Sequence, residues 1–329
     1  MQQNKIDFRG AYTAMITPRT VTPTSLIETP NMELWRQLLN FQFYYNMDGV
    51  VVLGSTGEPN SIGELAAKRE MLKIATDVAH EKDKRVILGA SSEDEEIVKA
   101  TYHMGQKYKV DGMLTMPLLG VKPGLDGLMN FYGALSDFGL PIIVYNNAGR
   151  SGKNITVAEM TELAKIPNVV AIKEASGDLY QIMGMINLSK KITDKNFRVL
   201  SGDDKLTLEI MKMGGHGTIA VVGNADPKNV KELVDWGTEY NIGDMRMPNV
   251  CLSEAEERDD MLAWLYAASA VAGNPGSIRH ILNYMGIPIG PNSRGLGAIS
   301  GPDAAKIEAI MNGSRMHILK DQWDAARAA

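Results

Sequence analysis

The chain has 329 residues, which is enough for one large domain or two domains of ordinary size. Apolar residues make up 44% and charged residues 22%, an ordinary composition for a soluble globular protein. The 34 basic and 39 acidic residues give a formal charge of −5 without a polybasic run, so we expect no nucleic-acid surface.

The N-terminus and the single cysteine indicate where the protein works. The opening sequence MQQNKIDFRG is polar and lacks the apolar core of a signal peptide. The longest apolar stretch, 261–272, is too short to span a bilayer. Cys251 is the only cysteine, which excludes an intrachain disulfide and a cysteine-based metal cage. We therefore predict a cytoplasmic protein that does not enter a membrane.

Eight short apolar runs, separated by segments with helical periodicity, follow one another along the chain. They are mostly rich in Val and Ile and do not alternate with polar residues, which is typical of parallel strands covered on both faces. The connections are long enough for crossover helices. The predicted strands are 12–17, 49–54, 85–90, 112–116, 141–146, 169–174, 197–202 and 217–223.

Eight strand–helix units predict an α/β fold, namely a (β/α)8 TIM barrel. The alternative is a doubly wound open sheet, which usually has fewer strands and a phosphate-binding glycine motif after its first strand. Residues 18–31, which follow the first predicted strand here, contain no such motif. We predict a barrel carrying the active site at 1–227 and a C-terminal helical domain at 228–329. Two irregular stretches, 19–32 and 241–253, are expected to be surface loops or oligomer contacts.

Lys173 closes the sixth predicted strand, and the working residues of barrel enzymes lie at the carboxyl ends of the strands. A lysine in an apolar pocket loses water, which disfavours the charged form. A neutral amine attacks carbonyl groups and forms a Schiff base. The alternative is a structural lysine whose head reaches solvent or pairs with Glu174.

Two further candidates lie at the end of the fifth predicted strand and just beyond it. Tyr145 ends that strand, and a phenol near an amine can relay protons during imine formation. Arg150 lies in the Gly-rich loop beyond it, and a guanidinium suits bidentate carboxylate binding. Alternatively, Tyr145 is a structural strand residue whose hydroxyl is hydrogen-bonded within the protein, and Arg150 is a solvated loop residue.

The sequence GSTGE at 54–58 follows the second predicted strand, and its glycines permit a tight turn. Ser55 and Thr56 offer hydroxyls and backbone N–H groups toward a small anion. Ser61 with Glu64 fits a capping box for the next helix, so we expect that pair to be structural.

Asp203 and Asp204 follow the seventh predicted strand and could contact a polar substrate or cap the next helix. We expect at least one of them to cap. His216 precedes the eighth strand, so we expect a structural histidine at the bottom of the barrel. The other histidines show no metal-binding spacing.

The motifs YTAMITP, GSTGE, YNNAGRSG, IKEASGD, LSGDD and NPGSIRHILNYMG resemble, in order and spacing, the dihydrodipicolinate synthase / N-acetylneuraminate lyase family of class I aldolases. The resemblance covers nearly the whole chain. It implies a barrel with C-terminal helices, usually in a homotetramer, although a homodimer is also possible. It also implies that pyruvate is used or released through a lysine imine, without a metal or other cofactor. The expected partners are small molecules, and the synthase branch implies lysine biosynthesis.

The resemblance implies roles for four residues at matching positions. Lys173 resembles the Schiff-base lysine, and Tyr145 resembles the tyrosine that shuttles protons at the imine and at the new C–C bond. Ser55 and Thr56 resemble the pair that holds the pyruvate carboxylate, and Thr56 also belongs to the proton relay.

Three more positions match residues of the substrate pocket. Arg150 resembles the synthase arginine that binds the carboxylate of the incoming aldehyde or of the product. Gly202 and Ile219 resemble residues that line the pocket through backbone groups. The motif GSTGE is closer to the sequence found in the lyases, whereas SGDD favours the synthase branch.

The stretch TMPLLG after the fourth predicted strand departs from the synthase pattern. The synthases carry a Tyr-Tyr pair there, and its second tyrosine reaches across a subunit interface to complete the proton relay. Leu118 and Leu119 occupy these positions here, and leucine cannot relay a proton. The Asn-X-Pro step of the tyrosine loop is also altered, to NNAG.

These observations predict a Schiff-base lyase that condenses pyruvate with an aldehyde or cleaves a 2-oxo acid to pyruvate. The first candidate for the aldehyde is L-aspartate-4-semialdehyde. The alternatives are a 2-keto-3-deoxy sugar acid aldolase or dehydratase, an N-acetylneuraminate lyase-like enzyme, and a non-catalytic barrel that binds a small carboxylate.

Overall fold

Eight parallel strands close into a barrel in the computed structural model, which describes residues 6–20, 29–192, 195–242, 248–312 and 316–329. Each strand pairs with the next along the chain, and the first also pairs with the last. The strands are β1 Gly10–Ala14, β2 Gly49–Val52, β3 Arg85–Gly89, β4 Gly112–Thr115, β5 Ile142–Asn146, β6 Val169–Glu174, β7 Arg198–Ser201 and β8 Gly217–Ala220. The predicted (β/α)8 barrel is confirmed.

Several strands end earlier than their apolar runs predict, because buried residues beyond the ladder have left the extended conformation. Ile16 is fully buried, but its N–H donates to the Oδ1 atom of Asn224 at 3.0 Å instead of to a strand. After β8 the chain turns into a 3₁₀ helix at Val222–Asn224. An apolar run therefore marks burial better than it marks the end of a strand.

Amphipathic helices cover the outside of the barrel and bury their apolar faces against the strands. The helices that follow the first seven strands are α1 Met32–Tyr44, α2 Leu65–Glu81, α3 Glu95–Tyr108, α4 Leu125–Ser136, α5 Ala148–Ser151, α6 Val157–Leu163, α7 Leu179–Ser189 and α8 Thr207–Lys212.

The capping box predicted for Ser61 and Glu64 is wrong. The segment Pro59–Ser61 forms a 3₁₀ turn, so α2 begins only at Leu65 and its N-cap residue, Glu64, makes no side-chain capping bond. The hydroxyl of Ser61 instead accepts from Arg19 at 2.6 Å.

The core has two apolar layers: an inner core inside the barrel and an outer core between the strands and the helices. Successive residues of a strand point alternately into one layer and the other. Ile143 and Tyr145 face the interior of the barrel, whereas Val144 faces the helices. Phe8 fills the amino-terminal end of the barrel, where a Cβ at Gly112 would lie 2.8 Å from the ring. The carboxyl-terminal end is left open for polar residues.

The remaining helices are α9 Pro227–Ile242, α10 Pro248–Ala270, α11 Gly276–Tyr284, α12 Gly301–Asn312 and α13 Met316–Ala328. The last one returns to the barrel, where Trp323 of α13 packs edge-on against Phe41 of α1, with 5.2 Å between ring centres. None of the helices in the described ranges combines the length and apolar character needed to cross a bilayer. The domain boundary between 227 and 228 stays a prediction.

The two stretches expected to be irregular are partly ordered. Residues 19–20 and 29–30 form a short antiparallel ribbon, and 248–253 are the first residues of α10. Residues 31–32 are the N-cap and first residue of α1, and 241–242 end α9. The remaining positions of the two predicted loops, 21–28 and 243–247, lie outside the described residues.

Candidate active site

The amine of Lys173 lies beside Tyr145 at the carboxyl ends of two neighbouring strands. The register pairs Tyr145 of β5 with Lys173 of β6, and both side chains project into the open end of the barrel. The Nζ atom lies 4.6 Å from the centre of the Tyr145 ring. Lys173 is only 4% exposed, yet no ion pair or hydrogen bond to it is found among the described residues. Such an amine is held in place by packing and is available to a ligand.

Glu174 does not pair with Lys173, so this alternative for the lysine is wrong. Successive strand residues face opposite sides of the sheet, and Glu174 is fully buried on the helix side. Its carboxylate accepts from the Nδ2 atom of Asn146 at 2.9 Å and from the N–H of Ser176 at 2.7 Å. The carboxylate therefore ties the ends of the two strands together.

The hydroxyl of Tyr145 accepts a hydrogen bond from the Nδ2 atom of Asn147 at 3.2 Å. Burial alone would raise the pKa of this phenol. The positive charge of Lys173 and the hydrogen bond from Asn147 oppose burial, as do the charge of Arg150 and a hydrogen bond from Ser55. Together they lower the pKa of Tyr145 below its ordinary value. The phenol is therefore better able to release and recover a proton than other buried tyrosines of the barrel.

The GSTGE segment forms a 3₁₀ turn over Ser55–Gly57 directly after β2. Thr17, which lies just beyond the end of β1, holds this turn, because its hydroxyl donates to the Gly57 carbonyl at 2.7 Å. Ser55 lines the larger of two cavities at this end of the barrel. Thr56, the next residue of the turn, is 3% exposed, and its Oγ1 atom accepts from the Nδ2 atom of Asn274 at 2.9 Å.

Arg150 stands at the mouth of the barrel on the short helix α5. Asn147 caps this helix by accepting from the Arg150 N–H at 3.1 Å, which fixes the helix directly after β5. The guanidinium is exposed, and its Nη2 atom donates to the backbone carbonyl of Asn274 at 3.0 Å. A carboxylate in the cavity would find this guanidinium already anchored.

Two adjoining cavities, of about 690 and 310 Å³, open at this end of the barrel. Both are lined by Tyr145, Arg150 and Asn274, and the smaller one contains Lys173. The two cavities share these three residues, so a ligand attached to Lys173 would meet one that enters through the larger cavity.

Residues beyond 227 complete both cavities, which the sequence did not reveal. The smaller cavity is lined by Tyr266 and Ile278, and the larger one by Pro275 and Leu296. The motif NPGSIRH, which carries the start of this wall, contributed to the family resemblance but gave no role to any residue. The prediction that 1–227 carries the active site therefore describes only part of the site.

Gly202 and Ile219 lie at different depths. A Cβ at Gly202 would lie 2.7 Å from the Cβ of Ala175 and 3.1 Å from the Cε of Lys173, so only glycine fits beside the lysine. Ile219 is fully buried in the inner core and lines neither cavity, whereas Val221 lines the smaller one. The predicted contribution of their backbone groups stays a prediction.

Asp203 and Asp204 both line the smaller cavity, and neither side chain caps the helix that follows, so the capping prediction is wrong. A 3₁₀ turn at Asp204–Leu206 comes first and directs the Asp204 carboxylate toward the end of β8. There it accepts from the backbone N–H groups of Val221 and Val222 at 3.0 and 2.9 Å. Desolvation raises the pKa of Asp204 to about 6.

His216 lies at the opposite end of the barrel, where the sequence predicted it. Its Nδ1 atom accepts from the N–H of Val199 at 3.1 Å. Burial, followed by the charges of Arg198 and Arg9, lowers the pKa of His216 to about 4. Within the described ranges, no group of three or more potential ligands from His, Cys, Asp and Glu is arranged to hold a metal ion.

Leu119 forms part of the wall of the larger cavity, and Leu118 packs against the outer core. The backbone N–H of Leu119 donates to the Ser92 carbonyl at 3.0 Å, which fixes the loop after β4. Leu114 and Met116 extend the same wall. The side chains of Leu114, Met116 and Leu119 are apolar and cannot exchange protons with a ligand.

Three kinds of comparison place the chain among known proteins. The family model described as the dihydrodipicolinate synthetase family matches residues 7–312. The 4-hydroxy-tetrahydrodipicolinate synthase of Protochlamydia amoebophila is 30% identical over 305 residues, which cover 92% of this chain and 96% of that protein. The protein of the same name from Methanococcoides burtonii is 33% identical over 291 residues, covering 86% and 90%.

Two solved structures show the same architecture. The dihydrodipicolinate synthase from Thermotoga maritima has 28% identity and a TM-score of 0.83, covering 94% of this chain and 100% of that one. A monomeric dihydrodipicolinate synthase variant has 29% identity and a TM-score of 0.82, covering 93% and 96%.

Proposed function

The chain belongs to the dihydrodipicolinate synthetase family and is a lyase of the class I aldolase type, and from this we propose that Lys173 forms a Schiff base with pyruvate. Family membership confirms the resemblance read from the motifs. The observation that carries the proposal is the buried amine of Lys173, which lies 4.6 Å from the ring centre of Tyr145 and lines a cavity. A packed amine of this kind suits nucleophilic attack on a ketone.

Pyruvate would bind with its carboxylate at the turn that contains Ser55 and Thr56. Lys173 attacks the ketone carbon, and the resulting carbinolamine loses its hydroxyl as water, which leaves a protonated imine. Tyr145 supplies a proton to the leaving hydroxyl, a step that its lowered pKa supports. No metal or other cofactor is needed, because the imine nitrogen itself withdraws the electrons.

The second half of the reaction forms the new C–C bond. The imine loses a proton from the methyl carbon and becomes an enamine, and Tyr145 is positioned to take this proton. The enamine carbon attacks the aldehyde carbon, and the aldehyde oxygen takes up a proton. Arg150 at the mouth of the barrel would hold a carboxylate of the aldehyde. Water then releases the product from Lys173.

We propose L-aspartate-4-semialdehyde as the aldehyde, which would make the protein a 4-hydroxy-tetrahydrodipicolinate synthase that acts in lysine biosynthesis. The relatives described above carry that name. The position of Arg150 supports the proposal, since this substrate carries a carboxylate at the end remote from the aldehyde. A cytoplasmic location and a homotetramer or homodimer stay predictions.

One observation favours a second candidate, the aldol cleavage or dehydration of 2-keto-3-deoxy sugar acids. The larger cavity, about 690 Å³, has Leu119 in its wall and no phenol at that position. A longer chain of carbon atoms would fit this space, and its own hydroxyl groups could carry protons that leucine cannot. N-acetylneuraminate is a third candidate for the same reason.

A coupled assay separates these substrates. Pyruvate with L-aspartate-4-semialdehyde is followed through reduction of the cyclic product, and cleavage of sugar acids is followed through pyruvate release. We expect turnover with the semialdehyde to exceed that with every sugar acid. Turnover of sugar acids alone would contradict the synthase assignment and leave the imine chemistry intact.

A further inference from the structure

Asn274 lies between the two groups that the proposed function uses to bind carboxylates. Its side-chain Nδ2 atom donates to the Oγ1 atom of Thr56 at 2.9 Å. Its backbone carbonyl accepts from the Nη2 atom of Arg150 at 3.0 Å. It belongs to the segment between α10 and α11 and lines both cavities. A single residue from outside the barrel strands thus contacts both binding groups.

We propose that Asn274 is a positioning residue whose side chain fixes Thr56 as a hydrogen-bond donor to pyruvate, while its backbone carbonyl holds Arg150 at the mouth of the barrel. This inference rests on the proposed function. It assigns a task in the reaction to the C-terminal helical part of the chain, which supplies Asn274.

The direction of the first hydrogen bond determines what Thr56 can do. A threonine hydroxyl has one proton to donate and two lone pairs that accept. Because the amide N–H of Asn274 occupies a lone pair, the proton of Thr56 points elsewhere, and the described residues offer it no acceptor. A carboxylate is an acceptor only, so a threonine held in this way is prepared to bind one.

The other atom of the same amide argues against a purely structural role. The Oδ1 atom of Asn274 is buried, and no hydrogen-bond partner for it is found in the described part of the chain. A buried acceptor without a partner lowers stability. Stability alone would therefore favour a smaller or apolar residue at this position.

The side chain of Asn274 is uncharged, so it does not repel the carboxylates that Thr56 and Arg150 are proposed to bind. Asn274→Asp keeps the shape but replaces the donor with an acceptor. The hydroxyl of Thr56 would then donate to the aspartate, and its proton would no longer be available to pyruvate. The aspartate would also repel both substrate carboxylates. The aspartate variant should therefore be more harmful than alanine.

The test compares Asn274→Ala and Asn274→Asp with the wild-type chain. The readouts are the KM for pyruvate, the KM for whichever aldehyde the wild type uses best, kcat, borohydride trapping of the pyruvate adduct, and Tm. Asn283→Ala is the matched control, because the Asn283 amide donates to the Gly290 carbonyl at 2.9 Å away from both cavities.

We expect Asn274→Ala to raise the KM for pyruvate about tenfold, the effect of one lost hydrogen bond, with a smaller change in kcat and an unchanged or higher Tm. The KM for the aldehyde should stay near the wild-type value, because alanine keeps the backbone carbonyl that accepts from Arg150. The aspartate variant should lose about 100-fold in kcat/KM for pyruvate, since it adds a charge repulsion to the lost bond. Asn283→Ala should leave both KM values unchanged.

An unchanged KM for pyruvate in Asn274→Ala, or an aspartate variant that binds pyruvate as well as the wild type, would overturn the inference. If the alanine variant fails to fold, Asn274→Ser, whose hydroxyl is too short to reach Thr56, must show the same rise in the KM for pyruvate. A wild-type chain that traps no pyruvate would overturn the proposed function together with this inference. A wild type that traps it and variants that match it would overturn this inference alone.

Discussion

Replacing Tyr145 with phenylalanine removes one oxygen atom from the reaction centre and leaves the ring in place. The ring is packed 4.6 Å below the Lys173 Nζ atom, and phenylalanine retains that packing. The hydrogen bond from Asn147, 3.2 Å long, is lost. A lost buried hydrogen bond costs about 1 kcal/mol of stability, so the variant should fold.

The effect on the reaction should be much larger than the effect on stability. General acid–base catalysis contributes about 10²- to 10⁴-fold to a rate, and Tyr145 is the phenol beside the amine. We expect kcat to fall by about 10³-fold, with slower formation of the trapped imine and little change in the KM for pyruvate. Stopped-flow trapping with borohydride and steady-state rates measure the two effects.

Tyr132→Phe is the control for this variant. Tyr132 is fully buried and donates to the Thr115 carbonyl at 2.9 Å, but it lines neither active-site cavity. We expect the same small loss of stability with unchanged kcat. A Tyr145→Phe variant within threefold of wild-type kcat, or an equal loss of kcat in both variants, would refute the reasoning.

Three further variants test other parts of the site and the barrel. Arg150→Lys should lower kcat/KM for the aldehyde about 10- to 100-fold while pyruvate trapping stays normal, because an ammonium cannot replace an anchored bidentate guanidinium; equal losses for both substrates would contradict this role. Leu119→Tyr should raise turnover of L-aspartate-4-semialdehyde if a missing relay limits the reaction, and a steady-state assay showing no rise would indicate a cavity shaped for another substrate. His216→Asn keeps an acceptor for the Val199 N–H but removes a group whose pKa is about 4 in the folded protein against an ordinary 6.5. Because the unfolded chain binds this proton first, His216 by itself lowers wild-type stability by about 3 kcal/mol as the pH drops from 6.5 to 4. Denaturant titrations should show a smaller fall for His216→Asn, and equal slopes would contradict the contribution of His216.

The fold was predictable because parallel strands buried on both faces leave a clear signal in the sequence. All eight apolar runs became strands, although burial of residues such as Ile16 and Val222 outside the ladder displaced some boundaries. The position of Lys173 and Tyr145 at the ends of neighbouring strands then followed from the order of the runs. The direct pairing of Tyr145 with Lys173 depends on the register between β5 and β6, which a local sequence pattern does not predict.

The parts of the site that the sequence missed depend on contacts between distant segments. Asn274 reaches Thr56 across 218 positions of the chain, and neither residue has a neighbour that signals the contact. The capping patterns at Ser61 and Asp204 failed for the related reason that a 3₁₀ turn displaced the start of each helix. Local motifs identified residue types suited to the chemistry, and tertiary structure decided which of them meet.

The central claim is that Lys173 forms the covalent link to pyruvate. Borohydride reduction in the presence of pyruvate, followed by peptide mass spectrometry, tests it most directly. We predict a single adduct on Lys173 whose added mass equals that of pyruvic acid less one oxygen atom, and no adduct in Lys173→Ala. An adduct on a different lysine, or none in the wild-type chain, would contradict the assignment.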